Sequence, residues 1–216
     1  IACADIGAYR SIAEFVFRRM DIPLYLSGTE DILQKTVIAT VLSALDAALG
    51  GYDQRLMFRY LRSALSPLSM DECDLIENYA VVWAIRGNRW VSSWEYHPDG
   101  LNGQWDEASR EMLGRLDHLR EMAVGPLERL RQGFRDAAKM SEQVDALYGF
   151  LEEIALEEHL DILAESLAAS GDDREAQILD QLWEILIDAL DQMYDVLGDT
   201  HWDAEHFTRL LRTLLS

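Results

Sequence analysis

The stretch DDREAQILDQLWEILIDALDQMYDVLGD, residues 172–199, limits what this chain can become more than any other. Leu179, Leu182, Trp183, Leu186, Leu190, Met193 and Tyr194 recur at the spacing of three and four that lines one side of a helix. Asp180, Glu184, Asp188, Asp191 and Asp195 form a single acidic stripe away from them. A strand, with its period of two, would scatter both sets over both faces. The segment therefore predicts a long helix with one buried face, which needs other helices to bury it.

The same period governs most of the remaining sequence. DILQKTVIATVLSALDAALGG (residues 31–51) predicts a helix stopped by Gly50 and Gly51, and YDQRLMFRYLRSAL (52–65) a second that ends before Pro67. SMDECDLIENYAVVWAI (69–85) predicts a third, with Ser69 as N-cap and acidic residues in the first turn to answer the helix dipole. A long helix is expected over about residues 106–138, with a kink at Gly125 and Pro126. SEQVDALYGFLEEIAL (141–156) follows as a further helix, and DAEHFTRLLRTLL (203–215) as a last one that starts on Asp203. Strand signals are confined to the front: residues 1–5 and 22–26 flank the helical GAYRSIAEFVFRRMD, whose Ile12, Phe15, Val16 and Met20 share a face, and together they predict a parallel β-α-β unit. The expected fold is mainly α: a helical domain over residues 31–216 with a small β-α-β stub over residues 1–30. Residues 86–104, with Gly, Pro, Asn and Trp, form a loop long enough to suggest function.

Composition narrows the function classes. Cys3 and Cys73 are the only cysteines, too few for a disulfide framework, a four-cysteine zinc site or an iron–sulfur cluster. Neither a secretory signal pattern nor a membrane-length apolar run is present, so the expectation is a cytoplasmic protein with no membrane partner. The strand-like IACADI at the very start, without an initiator Met, reads as part of a longer chain. Charge is uneven: residues 141–216 hold 19 acidic side chains against three Arg, net −16, while residues 1–140 are net −4. Phosphate backbones are repelled by acidic surfaces, so any nucleic-acid contact belongs to the first two thirds.

Most chemical motifs fail on spacing. GTEDILQKT (residues 28–36) has Gln34 where a phosphate loop needs glycine, so a loop entering a helix is the better reading. His97, His118, His159, His201 and His206 offer no helical metal pair, and no Glu-x-x-His occurs. HWDAEH (201–206) reads as an exposed acidic turn, and the acidic stripe of residues 180–195 as a solvated face or a dock for a basic partner. Two basic features remain. Arg55, Arg59 and Arg62 form a stripe opposite Met57, Leu61 and Ala64, and Arg86, Arg89 and Trp90 lie at or past the end of the third helix. For the arginines the competing roles are phosphate contact and capping of the helix C-terminus; for Trp90 they are base stacking and packing.

YRSIAEFVFRRMDIPLYLSGTEDIL resembles the segment of superfamily 1 helicases that leads through a Gly-Ile-Pro strand into a helical insertion, with Asp21 here in place of the Gly. The chain is more closely similar to the AddB family of the AddAB (RexAB-type) helicase-nucleases. The family pattern Glu-Asn-Tyr, then Gly-Ile-x-Gly-x-Arg-Trp, is matched by Glu77, Asn78, Tyr79 and then Ala84, Ile85, Arg86, Gly87, Asn88, Arg89 and Trp90. VGPLERL (124–130) and ALYGFLEE (146–153) also resemble that family's helical region. The resemblance implies that the first ~30 residues belong to a second motor-like domain and the rest to its helical insertion, 2B. It further implies double-strand-end processing for recombinational repair, an AddA-type partner that hydrolyses ATP, and DNA in the full complex. ATP, Mg and an iron–sulfur cluster would belong to the parent complex and no cofactor to this region, which would be a non-catalytic scaffold with Arg86, Arg89, Trp90, Arg55, Arg59 and Arg62 as DNA contacts. The rival readings are an acidic helical interaction module unrelated to DNA and a helical enzyme using scattered carboxylates. If the stub's strands are left with open edges, self-association through them is expected.

Overall fold

The computed structural model describes residues 15–17, 19–20, 22, 36–63 and 66–216. Contacts divide the chain into two units, Ile1–Asp31 and Ile32–Ser216. In the first, residues 15–17 and 19 are helical, and the Ile22 N–H bonds back to the Phe17 carbonyl at 3.0 Å. That bond places Ile22 at the close of a helical turn. Phe15, Val16 and Met20, expected on one apolar face, are exposed. The other expected strand residues, 1–5 and 23–26, and the glycine-lysine loop at 28–35 lie outside the described residues.

The regular elements of the second unit, among its described residues, are all helices. Helix α1 (Thr36–Leu49) is its centre. Val37, Ile38, Val41, Leu42, Ala44, Leu45, Ala47 and Ala48 are all buried, so this helix is apolar around its circumference. Its Ser43 hydroxyl is absorbed locally, donating to the Ala39 and Thr40 carbonyls. α1 packs against α2 (Gln54–Leu61), α4 (Glu107–Asp136), α7 (Asp173–Leu197) and α8 (Ala204–Leu214). Around this axis α3 (Met70–Val82) packs on α4, α4 on α5 (Met140–Glu153), and α6 (Leu156–Ala169) on α5 and α7. Each fully buried Leu or Ile contributes roughly 1.5–3 kcal/mol by leaving water.

Local chemistry sets most boundaries. α1 ends with Gly51 at φ +70° and the Tyr52 N–H on the Ala47 carbonyl, the six-to-one bond of a Schellman close. Ser69 and Glu72 form a reciprocal capping box at α3, and Asp106 and Ser109 form another at α4. Asp203 caps α8 by accepting from the His206 N–H. α4 runs as one helix through Gly125 and Pro126, the expected kink site, as the sequence anticipated. Gly133 allows α4 and α5 to approach closely, because a Cβ there would stand 2.6 Å from the Ala146 Cβ. One break is absent from the sequence reading: residues 141–156 do not form a single helix. Ala155 adopts φ +49°, ends α5 and starts α6, without a Gly or Pro to announce it. On α7, Leu179, Leu182, Leu186, Leu190 and Met193 are buried and the five residues of the acidic stripe are exposed, while Tyr194 lies outside the buried face.

Candidate nucleic-acid interface

α3 ends three residues earlier than its apolar pattern suggests. Trp83 is its C-cap and Ala84 takes φ +49°; the Ala84 N–H reaches the Val81 carbonyl and the Ile85 N–H the Ala80 carbonyl at 2.8 Å. This is a complete Schellman close with alanine in the left-handed position that glycine normally fills. The carbonyls left over at Trp83 and Ala84 accept from Arg89 Nη1 at 3.0 and 3.2 Å. Capping of the helix C-terminus is therefore done by Arg89. Arg86, the residue for which the sequence suggested it, leaves its guanidinium in solvent with no partner among the described residues.

Beyond that cap the chain makes a 3-10 turn, Gly87–Trp90, and then the long loop folds back over α3 and α4. Trp90 is wholly buried, edge-on to Phe58 at 6.3 Å and tilted against Trp94 at 5.7 Å. Its ring faces are occupied by core contacts. Tyr79 stacks on Trp94 at 4.5 Å and Trp83 on Tyr96 at 4.6 Å, and the Arg89 guanidinium stands over the Tyr96 ring at 5.3 Å. Such ring pairs add about 0.5–1.5 kcal/mol each beyond burial. The Tyr79 hydroxyl both donates to the Tyr96 carbonyl and accepts its N–H, each at 3.0 Å, and Trp83 Nε1 donates to the His97 carbonyl. From α4, Asp117 Oδ1 accepts from the Trp94 N–H and from Arg120 Nε, both at 2.8 Å. Burial alone would raise the Asp117 carboxyl; the Arg120 guanidinium and the Trp94 N–H outweigh it and hold it below the usual carboxylate range. The long loop is thus held to α3 and α4 at Trp94, Tyr96 and His97. Sequence reading missed Asp117, Arg120, Trp94 and Tyr96; the recurrence of aromatics at residues 90, 94 and 96 was the available signal.

The arginine stripe of α2 is largely neutralised. Arg59 is bound to Asp46, which Arg212 also grips through both oxygens at 2.8 Å, joining α1, α2 and α8. Arg62 forks onto Glu77 and reaches Asp74. Met57 and Leu61 are buried opposite, as their spacing requires. Arg55 keeps an exposed guanidinium with no partner among the described residues. Of the six sequence candidates, only Arg55 and Arg86 are exposed and uncommitted. Their segments meet: the Gly87 N–H donates to the Tyr52 carbonyl at 3.3 Å, next to Arg86 and one residue before the Asp53 cap of α2. A groove of about 310 Å³ opens beside the loop, lined by Glu121 together with charges already paired, Arg120 with Asp117, Arg129 with Glu153 and Glu128 with Tyr52.

No family model matches the chain. Over 213 residues it is 29% identical to the AddB-type subunit of the ATP-dependent helicase/deoxyribonuclease of Caldanaerobacter subterraneus subsp. tengcongensis, an alignment covering 98% of this chain and 18% of the relative. It is 27% identical over 215 residues to the protein of the same name from Clostridium botulinum strain Langeland, and 27% over 213 residues to that from Clostridioides difficile, covering 99% and 98% of this chain. The chain is homologous to AddB. It spans about one fifth of the length of these relatives.

The AddB-like residues have visible structural work. Glu77 holds Arg62, Tyr79 supports Trp94, Gly87 sits at φ +56°, Arg89 caps α3 and Trp90 fills the core. Ala84 departs from the family's glycine at a position with φ +49°. The acidic turn of residues 201–206 does not converge on a metal: His206 Nδ1 faces Asp203 at 2.7 Å, whereas His201 Nδ1 faces the Ala138 carbonyl. Among the described residues no group of three His, Cys, Asp or Glu is placed to hold a metal, and no helix is long and apolar enough to cross a membrane. Cys73 is buried with its thiol on the Leu61 carbonyl.

Proposed function

We propose that this chain is a non-catalytic helical region of an AddB-type helicase-nuclease protein, acting in the processing of DNA ends with an AddA-type partner in the cytoplasm. Homology to the AddB relatives along the whole of this chain carries the reading. In it, the pinned aromatic loop and α3 are scaffold, and the exposed Arg55 and Arg86 contact the phosphate backbone. Arg89 positions Arg86 by fixing the end of α3, and Arg59 and Arg62 hold helices together. Residues 1–30 would form part of the neighbouring motor-like domain. The exposed acidic face of α7 points away from a role in phosphate binding and suits contact with protein.

The test uses the full AddB-type protein assembled with its partner and a duplex end. Replacing Arg55 and Arg86 together by Ala should weaken DNA binding and shallow its dependence on salt by about one unit of log–log slope per lost phosphate contact. Unchanged affinity and slope would leave both arginines as solvated surface.

A further inference from the structure

His97 is buried, 6% exposed, and the segment from residue 97 to 105 is wrapped around it. Its Nδ1 lies 3.1 Å from the Asp99 backbone N–H and its Nε2 lies 3.1 Å from the Gln104 carbonyl oxygen. An amide N–H can only donate and a carbonyl can only accept. The ring is therefore the neutral tautomer with its hydrogen on Nε2. Two turns close the wrap, with the Gly100 N–H on the His97 carbonyl and the Gly103 N–H on the Gly100 carbonyl. Gly103 lies flat against the imidazole: a Cβ there would stand 2.0 Å from Nδ1. Trp105 meets the ring edge at 4.6 Å.

Two carboxylates face the imidazole. Asp99 is on the loop itself, with Oδ2 4.0 Å from Nδ1. Asp106 is the N-cap of α4, and the N–H and hydroxyl of Ser109 hold its carboxyl low. α3 presents the Trp83 indole, bonded to the His97 carbonyl, and Arg89 stands over the adjacent Tyr96 ring.

We propose that His97 is a pH-operated latch for this loop. A solvent proton added at Nδ1 turns the acceptor of the Asp99 N–H into a donor aimed at that same N–H. The imidazolium then exchanges the Asp99 backbone for the Asp99 carboxylate, and the turns through Gly103 lose the ring they are built on. Trp105 is released from the ring edge, and the Trp83–Tyr96 stack loses the carbonyl that anchors Trp83. The loop is therefore closed while the ring is neutral and opens when acid protonates it. The latch rests on the loop's own geometry and stands whether or not the neighbouring arginines meet DNA.

The experiment is nuclear magnetic resonance of the full chain over a pH series, following the His97 ring together with the Asp99 and Gly103 amides and their exchange protection. The expected result is a common one-proton midpoint for ring and amides, with Asp99 amide protection falling at least tenfold on the acid side. In the His97→Gln variant, whose amide can accept and donate without titrating, the amide transition should vanish. Asp99→Asn should move the wild-type midpoint to lower pH by removing the carboxylate that receives the imidazolium. Amide protection that stays constant while the ring titrates overturns the proposal, and so does a transition that persists in His97→Gln. If that variant fails to fold, coincidence or mismatch of the ring and amide midpoints in the wild type decides.

Discussion

Arg62 lays the fork of its guanidinium on Glu77, with Nε 2.7 Å from Oε1 and Nη2 2.8 Å from Oε2. Nη2 also reaches Asp74 at 2.6 Å, and these acidic partners hold the guanidinium firmly protonated. α2 and α3 are thereby tied across their exposed side. A cation already matched this way has little left for phosphate, whereas Arg86 has no partner among the described residues.

Arg62→Ala should accordingly leave the salt dependence of DNA binding by the assembled complex almost unchanged. Its effect should appear instead as a small loss of stability, with a coupling to Glu77→Gln in a double-mutant cycle. A slope change as large as that of Arg86→Ala would show that the fork opens to admit DNA.

Ala84→Gly should stabilise the chain by roughly 0.5–1 kcal/mol, because relief of the left-handed strain on an L-residue exceeds the extra freedom glycine gains on unfolding. Denaturant titration of both proteins measures this directly. A destabilised variant would mean that the alanine methyl makes packing contacts worth more than the backbone strain.

Trp90→Ala should cost about 3–5 kcal/mol, the usual range for emptying an aromatic site in a core. Trp90→Phe should keep a good part of that, since the buried Trp90 Nε1 has no hydrogen-bond partner among the described residues. Thermal melts of the three proteins give the order wild type, Phe, Ala. Loss of DNA binding in the Phe variant with an unchanged melt would restore the stacking role.

The Asp117 carboxyl is depressed in the folded chain, so its contribution to stability is present above the ordinary carboxylate value and is lost as pH falls through the folded value. Asp117→Asn should therefore be less stable than wild type at neutral pH and lose less on acidification. Parallel stability curves from neutral pH down to about pH 3 for the two proteins would remove Asp117 as the acid-sensitive brace, given an ordinary Asp value near 3.9.

Neither ATP hydrolysis nor DNA cleavage is expected from the chain on its own. Its glycine-lysine stretch lacks the second glycine of a phosphate loop, and its carboxylates and histidines show no nuclease spacing. Metal-dependent cleavage that survives purification and disappears with one carboxylate substitution would falsify this.

Helices and caps were legible from sequence because their causes are local. The period of α7, the boxes at Ser69 and the cap at Asp203 involve residues within one or two turns, and Gly51 supplies φ +70° where α1 must stop. The AddB resemblance was legible in the same way, as an order of residues. The partner of each charge was not. Asp46 meets Arg212 across 166 positions, and Arg120 reaches the Trp90 carbonyl across 30. Whether Arg62 or Arg86 stays free depends on what α3 places beside it, and whether Trp90 faces solvent depends on where α2 and α4 close. The break at Ala155 has no local signal either, since only packing of α6 on α5 and α7 holds an alanine at φ +49°. Sequence determined which segments coil, because that preference is settled within a few residues; tertiary structure decided which arginines and aromatics remain for function, because burial and pairing are settled between residues far apart in the chain.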